Sequence, residues 1–436
     1  MASPARPPPS MITSNLSFQL PDLLALTSSF PFRVNGNCKF ATDGSEGWLL
    51  SQSTGNDDSP ILSQNEREVL RSVKYGLLAS LCSPTSDGPQ LRVLADFLSL
   101  VFISHGRVLE GKEGHGWRPW TSIVHVESAQ DALELVESNI LLKHIVPSLQ
   151  QISSRRPEAD RLRWNKWFLH SVKAFARAQL QLYENLKSDT TPTLPEYIKL
   201  RRETYGSSMF LNLLDLLEIS SRPSGAPGLH QFTLWAIDIV AWILDIFSYA
   251  SGFTGTIRCD SHNLISLLTT HKNLSVQGAM NYAGGMVKEA LEEFDRLECE
   301  LSPLTSGSGS GSGGGVTSGE GAWGWLDFVK SATRFSGDVS AGRRPRLDCK
   351  FLTDAVMGSP PTDRDDARLN LGTGRAAGST GGAKSSPEQT ARYIQALKDY
   401  IVGSIHWGYE TELYFGQKGD EVRSFGWVFL ARSNDL

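Results

Sequence analysis

The feature that most constrains the fold is helical periodicity that continues from about residue 16 to about residue 300. Apolar residues recur there at steps of three and four, as in Trp164–Leu186, while strand-like alternation is scarce. Short connections rich in Pro, Gly, Ser and Asp separate the periodic segments. This pattern predicts an all-α bundle. The predicted helices span residues 62–82, 89–105, 128–153, 159–187, 194–203, 208–219, 229–250, 260–272 and 275–300.

A change in composition near residue 303 divides the chain. Many of the 40 glycines lie in the following stretch, which is rich in Gly and Ser and is typical of a disordered insertion. Periodicity returns after it, and a single helix could not bury its apolar face alone. We therefore predict one domain with an insertion before its last helix. Its parts are a flexible tail (1–15), the main helical domain (16–302), the low-complexity insertion (303–387) and a completing helix and tail (388–436).

Composition excludes several classes of function. The 436 residues contain 42 Lys and Arg against 47 Asp and Glu, so the chain lacks the basic excess of a nucleic-acid-binding protein. Its five cysteines form no CxxC pair, which argues against a zinc site. The N-terminus lacks the apolar core of a signal peptide, and the longest apolar stretch, Phe232–Phe247, is short and contains two aspartates. We expect a cytoplasmic protein without stable membrane insertion.

That apolar stretch contains the first candidate site. Asp238 and Asp245 are seven residues apart, so they project from the same face of a helix, and Ser248 lies on that face too. A buried carboxylate is costly unless it is paired, hydrogen-bonded or bound to metal. One interpretation is that each aspartate accepts hydrogen bonds from Arg, Trp or hydroxyl groups in the core. The other is that these oxygens hold a divalent metal at the wall of an apolar cavity.

Four sequence blocks, in this order along the chain, resemble those of one family. They are PTLPEYIKLRRETYG, ILDIFSY, the segment from Cys259 to Val287, and HWGYETELYFGQKGDEV near the C-terminus. Together they resemble the class I terpene synthases, in particular the fungal sesquiterpene synthase type. The resemblance covers about residues 16–300 and 387–431.

The resemblance implies a class I terpenoid synthase helical bundle around a central apolar cavity. It also implies a lyase that uses Mg²⁺ or Mn²⁺ to ionise and cyclise a prenyl diphosphate, with farnesyl diphosphate as the expected small-molecule partner. Metals and basic residues would withdraw the diphosphate, and aromatic walls would stabilise the resulting carbocation.

Individual residues match the family's motifs. Arg202 matches the arginine that senses the diphosphate, and Gly206 matches the catalytic glycine at a helix break. Asp245 and Ser248 match the aspartate and serine of the second metal motif. Tyr414 matches the tyrosine of the terminal pair that contacts the diphosphate.

Other positions depart from those motifs. His105 and Gly106 stand where the family has acidic residues, and Leu244 replaces the metal-binding asparagine. Gly252 replaces the closing glutamate, and Leu413 replaces the terminal arginine. Hard cations such as Mg²⁺ require oxygen ligands, which Leu and Gly side chains do not supply.

Three explanations follow from these departures. In the first explanation, the chain is an active, atypical cyclase that uses Asp238, Asp245, Glu110 or Glu113 as substitute ligands. Alternatively, it is a catalytically impaired homologue that binds apolar ligands. The third explanation is an imperfect gene model that interrupts the motifs.

Overall fold

The described part of the protein is a bundle of α-helices with one small sheet. The computed structural model describes residues 17–52, 60–109, 140–217, 229–251, 262–301 and 387–429. The predicted insertion at 303–387 therefore lies, apart from Pro387, outside the described residues. The helices are α1 (Leu23–Leu26), α2 (Cys38–Ser51), α3 (Gln64–Val73), α4 (Tyr75–Cys82), α5 (Gly88–Leu109), α6 (Ile140–Ser153), α7 (Glu158–Lys187), α8 (Leu194–Thr204), α9 (Ser207–Leu217), α10 (Leu229–Ser251), α11 (Leu264–His271), α12 (Val276–Leu301), α13 (Pro387–Glu410), α14 (Glu412–Phe415) and α15 (Gly419–Phe425).

Helix α10 is the centre of the bundle. It packs against α8, α11, α12, α13 and α14. By length and composition Leu229–Ala250 could cross a bilayer, but most of this segment is buried inside the bundle. Its two aspartates are paired with arginines of α8. We therefore assign α10 as the core helix of a globular bundle.

Helix α13, near the end of the chain, completes the same core. It begins at Pro387, as the sequence predicts, and packs on α4 and α10. Trp407 is fully buried, and its indole Nε1 donates a hydrogen bond to the Val73 carbonyl over 2.7 Å. The described residues between 17 and 301 and those from 387 to 429 belong to one compact unit. Helix α13 is thus part of the bundle.

Both ends of the described chain meet in a two-stranded antiparallel sheet. Strand β1 (Ser17–Gln19) pairs with β2 (Trp427–Phe429), with Phe18 opposite Val428. Only these two central residues of the strands are buried. The sheet closes the bundle by joining its first and last described segments.

Most predicted helices are present, with one division that the periodicity does not predict. The predicted helix at 62–82 is divided into α3 and α4 at Lys74, which has φ 59°. Lys74 also donates a hydrogen bond to the Glu410 carbonyl over 2.8 Å. The left-handed backbone therefore turns the chain toward the end of α13. The first part of the predicted helix at 128–153 lies outside the described residues.

We predict that Gly403→Ala destabilises the fold. An added Cβ would lie 2.8 Å from the Leu81 carbonyl carbon and 2.9 Å from its oxygen. Backbone atoms cannot move aside as a side chain can, so we expect a loss of about 1–3 kcal/mol in the free energy of unfolding. Urea denaturation followed by circular dichroism measures this change.

The matched control is Gly47→Ala in helix α2. Gly47 is exposed, and an added Cβ would meet nothing within 4 Å. The higher helix propensity of Ala should make this variant about 0.5–1 kcal/mol more stable. Equal unfolding midpoints for both variants would show that α4 and α13 are not in close contact at Gly403.

Candidate functional site

The candidate site lies where α8 ends. A capping box formed by Thr193 and Glu196 begins this helix. Gly206 then separates α8 from α9 with φ +70°. A Cβ there would lie 3.0 Å from both Val101 Cγ1 and Met209 Cε, so the position favours glycine by conformation and by space. The break places the last turn of α8, with Arg201 and Arg202, against α10.

Arg201 forms a buried ion pair with Asp245. Its Nε donates to Asp245 Oδ1 over 2.8 Å, and its Nη2 also donates to Oδ1. Tyr197 donates its hydroxyl proton to Asp245 Oδ2. Burial raises the pKa of Asp245, while the charge of Arg201 and these hydrogen bonds act in the opposite direction. Burial lowers the pKa of Arg201, but Asp245 and the nearby tyrosines raise it above its ordinary value, so Arg201 stays charged.

Arg202 forms the second buried pair, with Asp238. Nε and Nη2 of Arg202 donate to the two oxygens of Asp238 over 2.7 and 2.8 Å. Asp238 is 1% exposed and Arg202 13%. This bidentate geometry uses both oxygens of the carboxylate. The interpretation of the aspartates as core acceptors of arginine hydrogen bonds is confirmed for both Asp238 and Asp245.

Asn263 links Ser248 to this cluster. Its side chain caps α11 and donates to the Asp245 carbonyl over 2.9 Å and to Ser248 Oγ over 3.0 Å. Ser248 in turn donates to the Asp245 carbonyl over 3.3 Å. Sequence reasoning missed Asn263, although an Asn directly before the apolar run Leu264–Leu268 is an N-cap signal.

Tyr414, the predicted tyrosine contact of the diphosphate, is buried in the core. Its ring is buried and packs edge-on against Trp407, with centroids 5.7 Å apart. Burial raises the pKa of Tyr414 well above its ordinary value, and the charge of Arg201 acts against this rise. Arg201 also lies over the ring of Tyr205, 3.7 Å from its centroid. The prediction places Arg202 and Tyr414 at one diphosphate site, whereas in the structure Arg202 is engaged by Asp238 and the charge of Arg201 acts on Tyr414.

An apolar cavity lies beside this cluster. It encloses about 30 Å³, which is room for on the order of one water molecule. Ligand pockets typically enclose about 300–1,000 Å³. The predicted central apolar cavity is thus present but narrow as lined by the described residues. Its lining residues are Leu78, Leu98, Phe102, Tyr205, Ser207, Phe210, Val240, Leu244, Tyr400, Ser404 and Trp407.

His105 is buried beside Tyr205. The two ring centroids are 5.4 Å apart, and Nδ1 of His105 lies 3.3 Å from the side-chain amide of Gln179. Burial, together with the charge of Arg201, lowers the pKa of His105 to about 3. A neutral imidazole therefore occupies a position where the resemblance calls for a carboxylate.

The described residues do not fit the predicted divalent metal. Within the described ranges, no three His, Cys, Asp or Glu side chains come together as a metal site. Leu244 lines the cavity without an oxygen, and the carboxylates of Asp245 and Asp238 are engaged by arginines. Glu110 and Gly252 lie outside the described residues. Two sets of roles stay predictions. One is metal binding by Asp245, Ser248, Asp238 and Glu110. The other is the action of Arg202, Tyr414 and Gly206 toward a diphosphate.

Comparisons with known proteins agree with this architecture. Residues 124–293 match the family described as terpene synthase family 2, C-terminal metal binding. Sesquiterpene synthase Agr1 of Cyclocybe aegerita is 24% identical over 97% of this chain and 96% of its own length. Sesquiterpene synthase 1 of Postia placenta is 25% identical over 93% of this chain and 92% of its own. The crystal structure of an α-eudesmol synthase superposes with a TM-score of 0.54 at 15% identity, covering 87% of this chain and 96% of that one.

We predict that Asp238→Asn strongly destabilises the protein. The substitution leaves Arg202 as a buried charge without its carboxylate, which typically costs about 3–5 kcal/mol. Arg296→Met is the control, because Arg296 forms ion pairs on the surface and we expect little change there. Urea denaturation of both variants measures the difference, and an equally small effect in both would contradict the buried pair.

We also predict that His105 makes the fold less stable in acid. Its pKa is about 3 in the folded protein, against about 6.5 in an unfolded chain. The unfolded state therefore binds more protons below about pH 6.5, and stability falls as the pH decreases through this window toward 3. The loss is about 1.4 kcal/mol per pH unit within the window.

The test compares His105→Gln with the wild type between pH 7 and 4.5. Because Gln does not titrate, the unfolding free energy of this variant should depend less on pH over this range. His271→Gln changes an exposed histidine and should keep the wild-type pH dependence. Parallel curves for all three proteins would show that His105 is not held neutral by burial.

Proposed function

We propose that this chain is a class I terpene synthase and that it acts on farnesyl diphosphate as a sesquiterpene synthase. The observation that carries the proposal is similarity to named sesquiterpene synthases along nearly the whole chain. A sesquiterpene skeleton derives from a farnesyl chain. The proposal includes a cytoplasmic location, in keeping with an apolar helix α10 that is buried within the bundle.

The lining of the cavity supports a reaction through a carbocation. In the proposed reaction the bond between the prenyl carbon and the diphosphate oxygen breaks, and the electron pair leaves with the diphosphate. The allylic cation then closes a ring and finally loses a proton, or takes up water before losing one. The aromatic residues Phe102, Tyr205 and Trp407 line the cavity, and an aromatic face beside such a cation can stabilise it by about 0.5–2 kcal/mol.

The surrounding residues would exclude water from the reacting cation. The lining is mostly apolar, and a carbocation survives only where water is kept away. Arg201, between Tyr205 and Asp245, is the charged group on the side of the cavity that Tyr205 forms. The narrow cavity must widen to admit a farnesyl chain. The predicted Mg²⁺ or Mn²⁺ does not fit the described residues, so no step is assigned to it.

A second candidate function is binding of an isoprenoid without turnover. Two observations favour it. Leu244 supplies no oxygen to a metal, and the Asp245 carboxylate is engaged by Arg201 and Tyr197. A homologue with these features would keep the fold and the apolar cavity while losing the means to ionise a diphosphate.

We predict that purified protein converts farnesyl diphosphate, with Mg²⁺ or Mn²⁺ present, into a sesquiterpene hydrocarbon or alcohol detected by gas chromatography and mass spectrometry. Phe102→Leu should lower the rate by up to roughly thirty-fold, because it removes a π-face worth up to about 2 kcal/mol. Phe32→Leu changes an exposed phenylalanine and should leave the rate unchanged.

A complete lack of product would count against the proposed synthase. The assay therefore includes geranyl and geranylgeranyl diphosphates with either metal. If none of the three substrates is converted while farnesyl ligands still raise the unfolding temperature, the second candidate function is supported instead.

A further inference from the structure

The charges of the candidate site cancel one another. Arg201 pairs with Asp245, and Arg202 pairs with Asp238, so two cations meet two anions in the core. The nearby histidine, His105, is buried against Tyr205 and is neutral. A trianionic diphosphate would therefore find little net positive charge among the described residues of this cluster.

Asp245 is held too firmly to serve as a metal ligand as well. One of its oxygens accepts from Nε and Nη2 of Arg201, and the other accepts from Tyr197. The carboxylate, with 0% exposure, lies deep in the core. Releasing it to a cation would leave Arg201 as a buried charge without its partner, which is strongly unfavourable.

The neighbouring positions do not replace the missing donors. Leu244 directs an apolar side chain to the cavity wall. Ser248 Oγ already donates to the Asp245 carbonyl and accepts from Asn263. Leu244, Asp245, Ser248 and Asp238 together offer one engaged hydroxyl and two engaged carboxylates, which does not match the oxygen cage that Mg²⁺ requires.

We propose that this chain holds a farnesyl ligand by burying its hydrocarbon chain, without a divalent cation and with little contribution from the diphosphate charge. The inference rests on the proposed farnesyl ligand and does not depend on turnover. Affinity then comes from apolar contact with the walls that Phe102, Phe210 and Trp407 form, once the cavity widens.

The test measures the dissociation constant of farnesyl thiodiphosphate, a slowly reacting analogue, by quenching of tryptophan fluorescence. One arm contains EDTA and the other Mg²⁺. We expect the two constants to agree within about two-fold, and farnesol to bind within about ten-fold of the analogue; both margins are small beside the binding energy of a buried chain. Inorganic pyrophosphate with Mg²⁺ should not compete.

A second measurement detects the binding of the metal directly. The electron paramagnetic resonance signal of free Mn²⁺ should fall no further with the protein and farnesyl thiodiphosphate together than with the analogue alone.

Three results would overturn the inference: a ten-fold loss of affinity in EDTA, stoichiometric binding of Mn²⁺, or no binding of either farnesyl ligand. These outcomes are separate from those of the synthase assay. Metal-dependent product with metal-dependent binding would refute the inference and support the synthase. Metal-independent binding without product would support the inference and count against the synthase.

Discussion

The buried pair of Arg201 and Asp245 is the interaction on which the rest of the site depends. It joins the last turn of α8 to the middle of the core helix α10, and Asn263 brings the start of α11 to the same point. Both charges are out of contact with water, so each is tolerable only because the other is present. Tyr205 is held over Arg201, and this contact directs its ring to the cavity.

This arrangement forces a choice between structure and chemistry. A carboxylate that neutralises an arginine in the core stabilises the fold, but its oxygens are then not free for a cation. Asp245 and Asp238 both neutralise an arginine in the core. The same conflict applies to Arg202. Its planar guanidinium would suit two hydrogen bonds to a diphosphate, but it donates both of them to Asp238 instead. The pairs thus explain why family motifs are present while a metal site is absent from the described residues.

Much of this could be predicted from the sequence, and the failures have physical causes. The seven-residue spacing of Asp238 and Asp245 predicts their common face, because that depends only on local geometry. The helix break at Gly206 follows from the resemblance, which matches this residue to the family's glycine at a helix break. The partners of Arg201 and Arg202 could not be predicted, since adjacent helical residues point in different directions and packing decides which arginine meets which aspartate. The turn at Lys74 was missed because no glycine marks it.

The size of the cavity illustrates the same limit. An apolar pattern on several helices predicts an apolar interior, but the volume left between those helices depends on how closely they approach. Here Gly403 and Gly408 allow α13 to lie against Leu81 and Phe247, which brings the walls together. The fold rests on many such contacts, whereas metal-dependent ionisation rests on a few oxygen atoms. A chain can therefore keep nearly full-length similarity to sesquiterpene synthases while a change as small as Leu244 alters what its cavity can hold.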